Sequence, residues 1–317
     1  RELNMSSDVD LVFAYRENGV TDGIRTISNH EFFIKLGQAL IDILQTPTHE
    51  GIVFRVDMRL RPNGDSGPLA LSFDAMDHYF LTHGRDWERY ALIKARPVAG
   101  DVAAGHDLLA SLRPFVYRKY LDFGAFESIR TMKTLIEREL NKKSLTGNVK
   151  LGRGGIREIE FIVQSHQLIY GGRNPALRTS SLYDALAALE DNGVLTDHDC
   201  AMMRRHYDFL RVLEHRLQIM DDAQTHTVPV EPLARTRIAL TMGYPEINAF
   251  DTAVESVNDA VHRLFLTVFH QDRGPAASEN NPLFADIWED TLAPEDQLTQ
   301  LRALGFSDAE QVQGLLA

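Results

Sequence analysis

Hydrophobic and polar positions alternate with two different periods along the chain, and the change of period divides it. Residues 8–15, Asp-Val-Asp-Leu-Val-Phe-Ala-Tyr, read as a strand that runs into the turn-rich Glu17-Asn18-Gly19. Residues 29–44 place Phe32, Phe33, Leu36, Leu40, Ile43 and Leu44 at helical spacing, with Ser28 and Asn29 as caps. A second strand is predicted over residues 52–60, with Phe54, Val56, Met58 and Leu60 on one face and Arg55, Asp57 and Arg59 on the other, continuing to Arg61. The run Arg61-Pro62-Asn63-Gly64-Asp65-Ser66-Gly67-Pro68 ends it as a loop. From about residue 73 the period is helical, punctuated by Pro97, Pro114, Pro175 and Pro229. The predicted fold class is α+β and mostly helical: an α+β unit over residues 1–100, then an all-α domain over 101–272.

Composition narrows the function classes. With 317 residues, 44% of them hydrophobic, the chain has material for a real core. Its single thiol, Cys200, excludes an internal disulfide, a cysteine zinc site and an iron–sulfur cluster, which makes the reducing cytoplasm the expected location. No apolar run approaches the roughly 18 residues of a membrane span, so no membrane is expected. A net charge of -12 argues against nucleic acid as a partner, since phosphate coats call for a basic stripe. Arg273-Gly274-Pro275 reads as a linker, and residues 276–317 beyond it carry eight carboxylates against one arginine, so 273–317 is expected to be an acidic linker or helical appendage. The chain opens on Arg1-Glu2-Leu3-Asn4 and meets a strand almost at once, as expected of a fragment of a longer protein.

Candidate chemistry begins on the first strand. Side chains two apart share a strand face, so Asp8 and Asp10 stand together, and two such carboxylates repel unless a cation lies between them. A divalent metal such as Mg²⁺ takes hard oxygen ligands and shares them with phosphates, and Ser6 and Ser7 add hydroxyls and N–H groups suited to a phosphate. The plain alternative is a strand edge with solvated carboxylates. On the second strand, Asp57 lies among Arg55, Arg59 and Arg61, arginines being able to grip phosphate oxygens bidentately. Alone, that pattern also suits a charged surface strand. With Asp8 and Asp10 it favours a three-carboxylate, two-metal phosphoryl-transfer site.

Ser6-Ser7-Asp8-Val9-Asp10-Leu11, Val56-Asp57-Met58-Arg59-Leu60-Arg61-Pro62 and Gly64-Asp65-Ser66-Gly67-Pro68-Leu69 resemble the nucleotidyltransferase superfamily and, within it, the bifunctional glutamine synthetase adenylyltransferase/adenylyl-removing family. Residues 84–96, with Glu2-Leu3-Asn4 ahead of the serine pair, are similar to that family's amino-terminal, adenylyl-removing half; the adenylylating half typically reads Gly-Ser-Asp-Leu-Asp and has a different Trp-containing segment. The resemblance reaches about residue 272. The glycine pair that the family carries just before the position of Arg1 is absent here, as are its amino-terminal helices, so phosphate binding is expected to be incomplete. The resemblance implies a small nucleotidyltransferase-type mixed sheet with helices, followed by an all-α helical bundle. It further implies Mg²⁺-dependent removal of AMP from a tyrosine of adenylylated glutamine synthetase, with inorganic phosphate as attacking group and ADP as product. Asp8, Asp10 and Asp57 would then be catalytic and hold the metal, and Ser6, Ser7, Arg59 and Arg61 would bind phosphate. The PII signal protein is a further implied partner. Two alternatives stay open: adenylyl transfer from ATP in the forward direction, and a non-catalytic regulatory module that binds glutamine synthetase or PII.

The helical part adds a second polar cluster. Residues 148–160, Asn-Val-Lys-Leu-Gly-Arg-Gly-Gly-Ile-Arg-Glu-Ile-Glu, resemble the family's glycine-rich stretch leading into a helix. Glycines allow close backbone approach and a helix amino terminus attracts anions, so Lys150, Gly152, Arg153 and Gly154 are candidate phosphate or nucleotide contacts; a simple turn is the alternative. Ile156, Ile159 and Val163 form the expected core stripe, with Arg157, Glu160 and Gln164 on a polar face. Leu210, Leu213, Leu217 and Met220 form another, beside a polar row of Arg211, Glu214, His215 and Gln218 that leads to Asp221-Asp222-Ala223-Gln224-Thr225-His226. A metal held by His215 and His226 competes there with a buried hydrogen-bond network, and the network is the expectation. Trp87 and Trp288 are expected to pack, and Cys200, with no base beside it, to be no nucleophile.

Overall fold

Extended backbone around the first two aspartates finds its partner across a helical crossover, the connection a parallel pair requires. The computed structural model describes residues 3–4, 6–118, 147–221 and 224–271. Strand β1 (Val9–Asp10) pairs parallel with β3 (Val56–Asp57), and β2 (Phe13–Tyr15) pairs parallel with β4 (Ala70–Ser72). The expected single strand over 8–15 is thus two short ones, and the expected mixed sheet is a pair of parallel two-stranded ladders. The cause lies in the partner. After Asp57 the chain turns, the Arg59 N–H donating to the Asp57 carboxylate at 2.8 Å, so β3 stops and residues 70–72 replace it alongside Phe13. The predicted strand over 52–60 shrinks to two residues for the same reason.

Helix α1 (Asn29–Gln45) makes the crossover from β2 to β3. Ser28 caps it, accepting from the Glu31 N–H at 3.1 Å. It lies against β2 at Gly37, where an added Cβ would stand 2.9 Å from the Phe13 ring, and Phe33 stacks on Tyr15 with centroids 5.1 Å apart. The rest of its apolar stripe faces outward, with Leu36 52% and Ile43 70% exposed.

Beyond β4, α2 (Phe73–Thr82), α3 (Asp86–Ile93), α4 (Val102–Ser111) and α5 (Arg113–Val116) gather round Met76, Phe80, Leu108 and Leu112. The charged residues of α3 serve this packing. Glu88, buried, accepts from Tyr79 Oη at 2.9 Å and from the Arg85 N–H at 2.7 Å, and buried Arg89 donates twice to the Val116 carbonyl. Trp87, expected to pack, is 39% exposed, and Trp288 lies outside the described residues.

The helical part comprises α6 (Ile156–Tyr170), α7 (Leu182–Asp191), α8 (Asp197–Asp221), α9 (Pro232–Thr241) and α10 (Ile247–Gln271). Ile156, Ile159 and Val163 are buried as expected, but Glu158, Gln164, Ser165 and Gln167 are buried too, so α6 is a central helix covered nearly all round and not an amphipathic surface one. The chain divides into two units, 1–266 and 267–317; of the second, only 267–271, the end of α10, falls among the described residues.

The turn before α6 shows why a glycine is needed. Gly154 has φ +69°, and a Cβ there would stand 1.9 Å from the Asn258 carbonyl oxygen of α10. Gly154→Ala is expected to cost about 2–4 kcal/mol, read by chemical denaturation, from the left-handed backbone and the enforced separation of turn and helix.

Candidate functional site

Strand register pairs two of the three aspartates. Asp10 lies opposite Asp57 across the β1/β3 ladder, and Asp8, just ahead of β1, lines the same cleft as Asp57. Each flanking carboxylate meets an arginine: Asp8 accepts from Arg55 Nε at 3.0 Å, and Asp57 from Arg59 Nε at 2.9 Å and from Arg59 Nη2. Arg55 also donates from Nη2 to the Ser6 hydroxyl at 2.9 Å, so Ser6, Asp8 and Arg55 form one unit. Ser7 closes a tight turn with Asn4, donating to its side-chain oxygen at 2.7 Å and accepting its N–H at 3.0 Å. Arg61 is turned into its own loop, donating to the Met58 carbonyl at 2.8 Å.

An open cleft of about 860 Å³ lies beside Asp8 and Asp57, with Asp10 outside its lining. Asp8, Arg55, Asp57, Arg59 and Asp65 make its charged wall, Ile41, Pro47 and Met58 part of its apolar wall, and Gln224 reaches it from the helical part. Carboxylate oxygens on adjacent strands are the donors Mg²⁺ takes, so the donor chemistry fits a hard divalent cation. In the present arrangement no three of His, Cys, Asp and Glu converge on one metal position among the described residues. The arginines hold the place of the positive charge. Arg59, whose side chain is 74% exposed, can turn toward solvent or a bound phosphate at little cost.

The glycine-turn residues lie in a separate cluster. Lys150 Nζ is 3.7 Å from Glu214 Oε1, while Arg153 donates to Asp259 at 2.8 Å on the exposed side of α10. Gly152 and Gly154 are buried, and the Gly154 N–H donates to Glu158 in the first turn of α6, whose carboxylate also lies 3.1 Å from His262 Nδ1. Burial pushes the Glu158 carboxyl up, against the pull of Gly154 and His262. The structure therefore brings Ser6, Ser7, Asp8, Asp10, Asp57 and Arg59 into one neighbourhood, and Lys150, Gly152, Arg153 and Gly154 into another.

Glu214 is the centre of the second neighbourhood. It is 0% exposed and meets Arg211, Lys150 and His226, the last with Nδ1 at 3.1 Å. Burial alone would raise its carboxyl, but the close approach of His226 and the charges of Arg211 and Lys150 hold it down at about 2. His215 Nε2 lies 3.4 Å from Arg211, so both histidines join this network, and burial pushes His215 down. Arg211 also donates to the Leu3 carbonyl at 3.3 Å, tying α8 to the segment that leads into Ser6. Cys200 is buried, which pushes its thiol up to about 11 and leaves it inert.

Comparison with known proteins gives the following relatives. Residues 1–111 match the family described as glutamate-ammonia ligase adenylyltransferase, and residues 130–269 match the family described as GlnD PII-uridylyltransferase. Three curated proteins, each named bifunctional glutamine synthetase adenylyltransferase/adenylyl-removing enzyme, are similar over 98% of this chain: 47% identical in Hahella chejuensis, 49% in Nitrosococcus oceani and 47% in Pseudomonas aeruginosa. The chain spans about a third, 32%, of the length of each.

Proposed function

We propose, for a chain that belongs over the third of their length it matches to the family of the bifunctional glutamine synthetase adenylyltransferase/adenylyl-removing enzymes, that it removes AMP from adenylylated glutamine synthetase. The observation that carries this is the register pair Asp10 and Asp57, with Asp8 just ahead of β1 and arginines alongside. The adenylyl-removing direction rests on the resemblance of residues 84–96.

In this reading an oxygen of inorganic phosphate attacks the phosphorus of the tyrosyl-AMP ester. The bond from phosphorus to the phenolic oxygen breaks, and the products are ADP and the free tyrosine. Asp8, Asp10 and Asp57 would hold Mg²⁺, which would supply charge neutralisation at the reacting phosphorus. Arg59, exposed and planar, orients the attacking phosphate, and the Ser6–Ser7 turn offers hydroxyls to the other anion. The tyrosine phenol, with a pKa of about 10, leaves readily once the ester is polarised. Lys150, Gly152, Arg153 and Gly154 are the second anion-holding surface in this reading, and PII, named in the second family description, is the regulatory partner. No helix among the described residues is long and apolar enough to cross a membrane, and a cytoplasmic location belongs to the same proposal.

The test is incubation with adenylylated glutamine synthetase and Mg²⁺, with and without phosphate, and identification of the nucleotide. ADP that appears only with phosphate is the expected result. AMP without phosphate would show a hydrolase, and transfer of AMP from ATP onto unmodified glutamine synthetase would show the forward direction.

A further inference from the structure

The cleft beside Asp8 and Asp57 takes one lining side chain from far along the chain, Gln224. Its charged wall, Asp8, Arg55, Asp57 and Arg59, matches phosphate and metal, and its apolar wall, including Ile41, Pro47 and Met58, matches a ring. A ring edge needs a donor and an acceptor to be told from another of the same size. An amide offers both side by side, complementary to the amino group and N7 of adenine; guanine shows two acceptors on that edge, of which an amide satisfies one with its N–H.

We propose that Gln224 is a specificity-determining residue that reads the purine base of the bound nucleotide, and that Glu214 is the positioning residue that holds it at the cleft. The inference rests on the nucleotide reading of the preceding subsection. Gln224 is exposed, and an exposed side chain discriminates well only if its backbone is held. The segment that follows it is held by backbone bonds. Two residues on, the His226 carbonyl accepts from the Val149 N–H at 2.8 Å, Asn148 bridges to Thr227, and the Val228 N–H donates to the Gly147 carbonyl at 2.9 Å. The His226 ring meets Glu214 at 3.1 Å, and Glu214 is braced in turn by Arg211 and Lys150. Arg211 carries the connection to the Leu3 carbonyl, a few residues ahead of Asp8 of the cleft. A buried ion cluster stabilises a fold no better than apolar packing, and fixing one arrangement is its best-attested use.

The experiment is calorimetric titration of this chain with ADP and with GDP, both with Mg²⁺, for the unaltered protein, Gln224→Ala and Glu214→Gln. The unaltered protein is expected to prefer ADP. Gln224→Ala should lose about tenfold in ADP affinity and change GDP affinity by less than about twofold, with its melting midpoint unmoved because the side chain is exposed. Glu214→Gln should lower the same ADP-to-GDP ratio, which a purely structural role would leave alone while reducing stability. A Gln224→Ala protein that keeps the original ratio overturns the inference and leaves the nucleotide reading standing. An unaltered protein that binds both nucleotides equally also overturns it, and one that binds neither overturns the nucleotide reading as well.

Discussion

Glu214→Ala is expected to cost about 3–5 kcal/mol of folding stability, because it removes the buried carboxylate on which Arg211, Lys150 and His226 converge. Glu214 itself is 0% exposed, and the side chains it meets keep only limited access to solvent. In a chain of this size the loss corresponds to a melting point lower by on the order of ten degrees, read by thermal or urea unfolding. Glu214→Gln keeps the shape and one acceptor and should cost less. A loss below about 1 kcal/mol for the alanine variant would mean that Arg211 and Lys150 are held well enough by other partners.

The same carboxylate sets an acid limit. Its folded value of about 2 lies below its ordinary value of 4.5, so the unfolded chain binds the proton first as pH falls. The stability it contributes is present in full above about pH 4.5 and is lost as pH drops toward 2. The alanine variant should therefore show a flatter fall of stability between those two values, measured by urea midpoints across the range.

Local pattern carried most of the element types and little of their pairing. Helix α1 and the stripes Ile156–Ile159–Val163 and Leu210–Leu213–Leu217 were legible because a 3.6-residue period repeats over several turns. The strands were not, since their length depends on where the partner ends, and a side-chain contact from Asp57 to the Arg59 N–H ends it. The polar row of Arg211, Glu214, His215 and Gln218 is the buried network expected of it, Glu214 and Gln218 being buried, but its remote pairings were not legible, since Lys150 and His226 arrive from other parts of the chain. The aspartate face was readable from the Asp-x-Asp spacing and the Asp57 environment together. The contribution of Gln224 to the cleft was not, since it depends on the packing of residues 224–228 against the glycine turn.

Asp10→Asn is expected to reduce ADP release from adenylylated glutamine synthetase by at least about a hundredfold while leaving the fold intact. Asp10 and Asp57 are register partners on neighbouring strands, where like charges disfavour the pairing. The amide removes that repulsion, so stability without metal should hold or rise by a few tenths of a kcal/mol. With Mg²⁺ the order should reverse. A cation bound only by the folded state raises the melting point of the original protein in proportion to the logarithm of its concentration, and the variant, short of one anionic ligand, should show a smaller rise. The two measurements separate the causes of any lost activity. Lost turnover with an unchanged Mg²⁺ response would place Asp10 at the substrate and not at the metal, whereas retained turnover would remove it from the site and leave Asp8 and Asp57 as the working carboxylates.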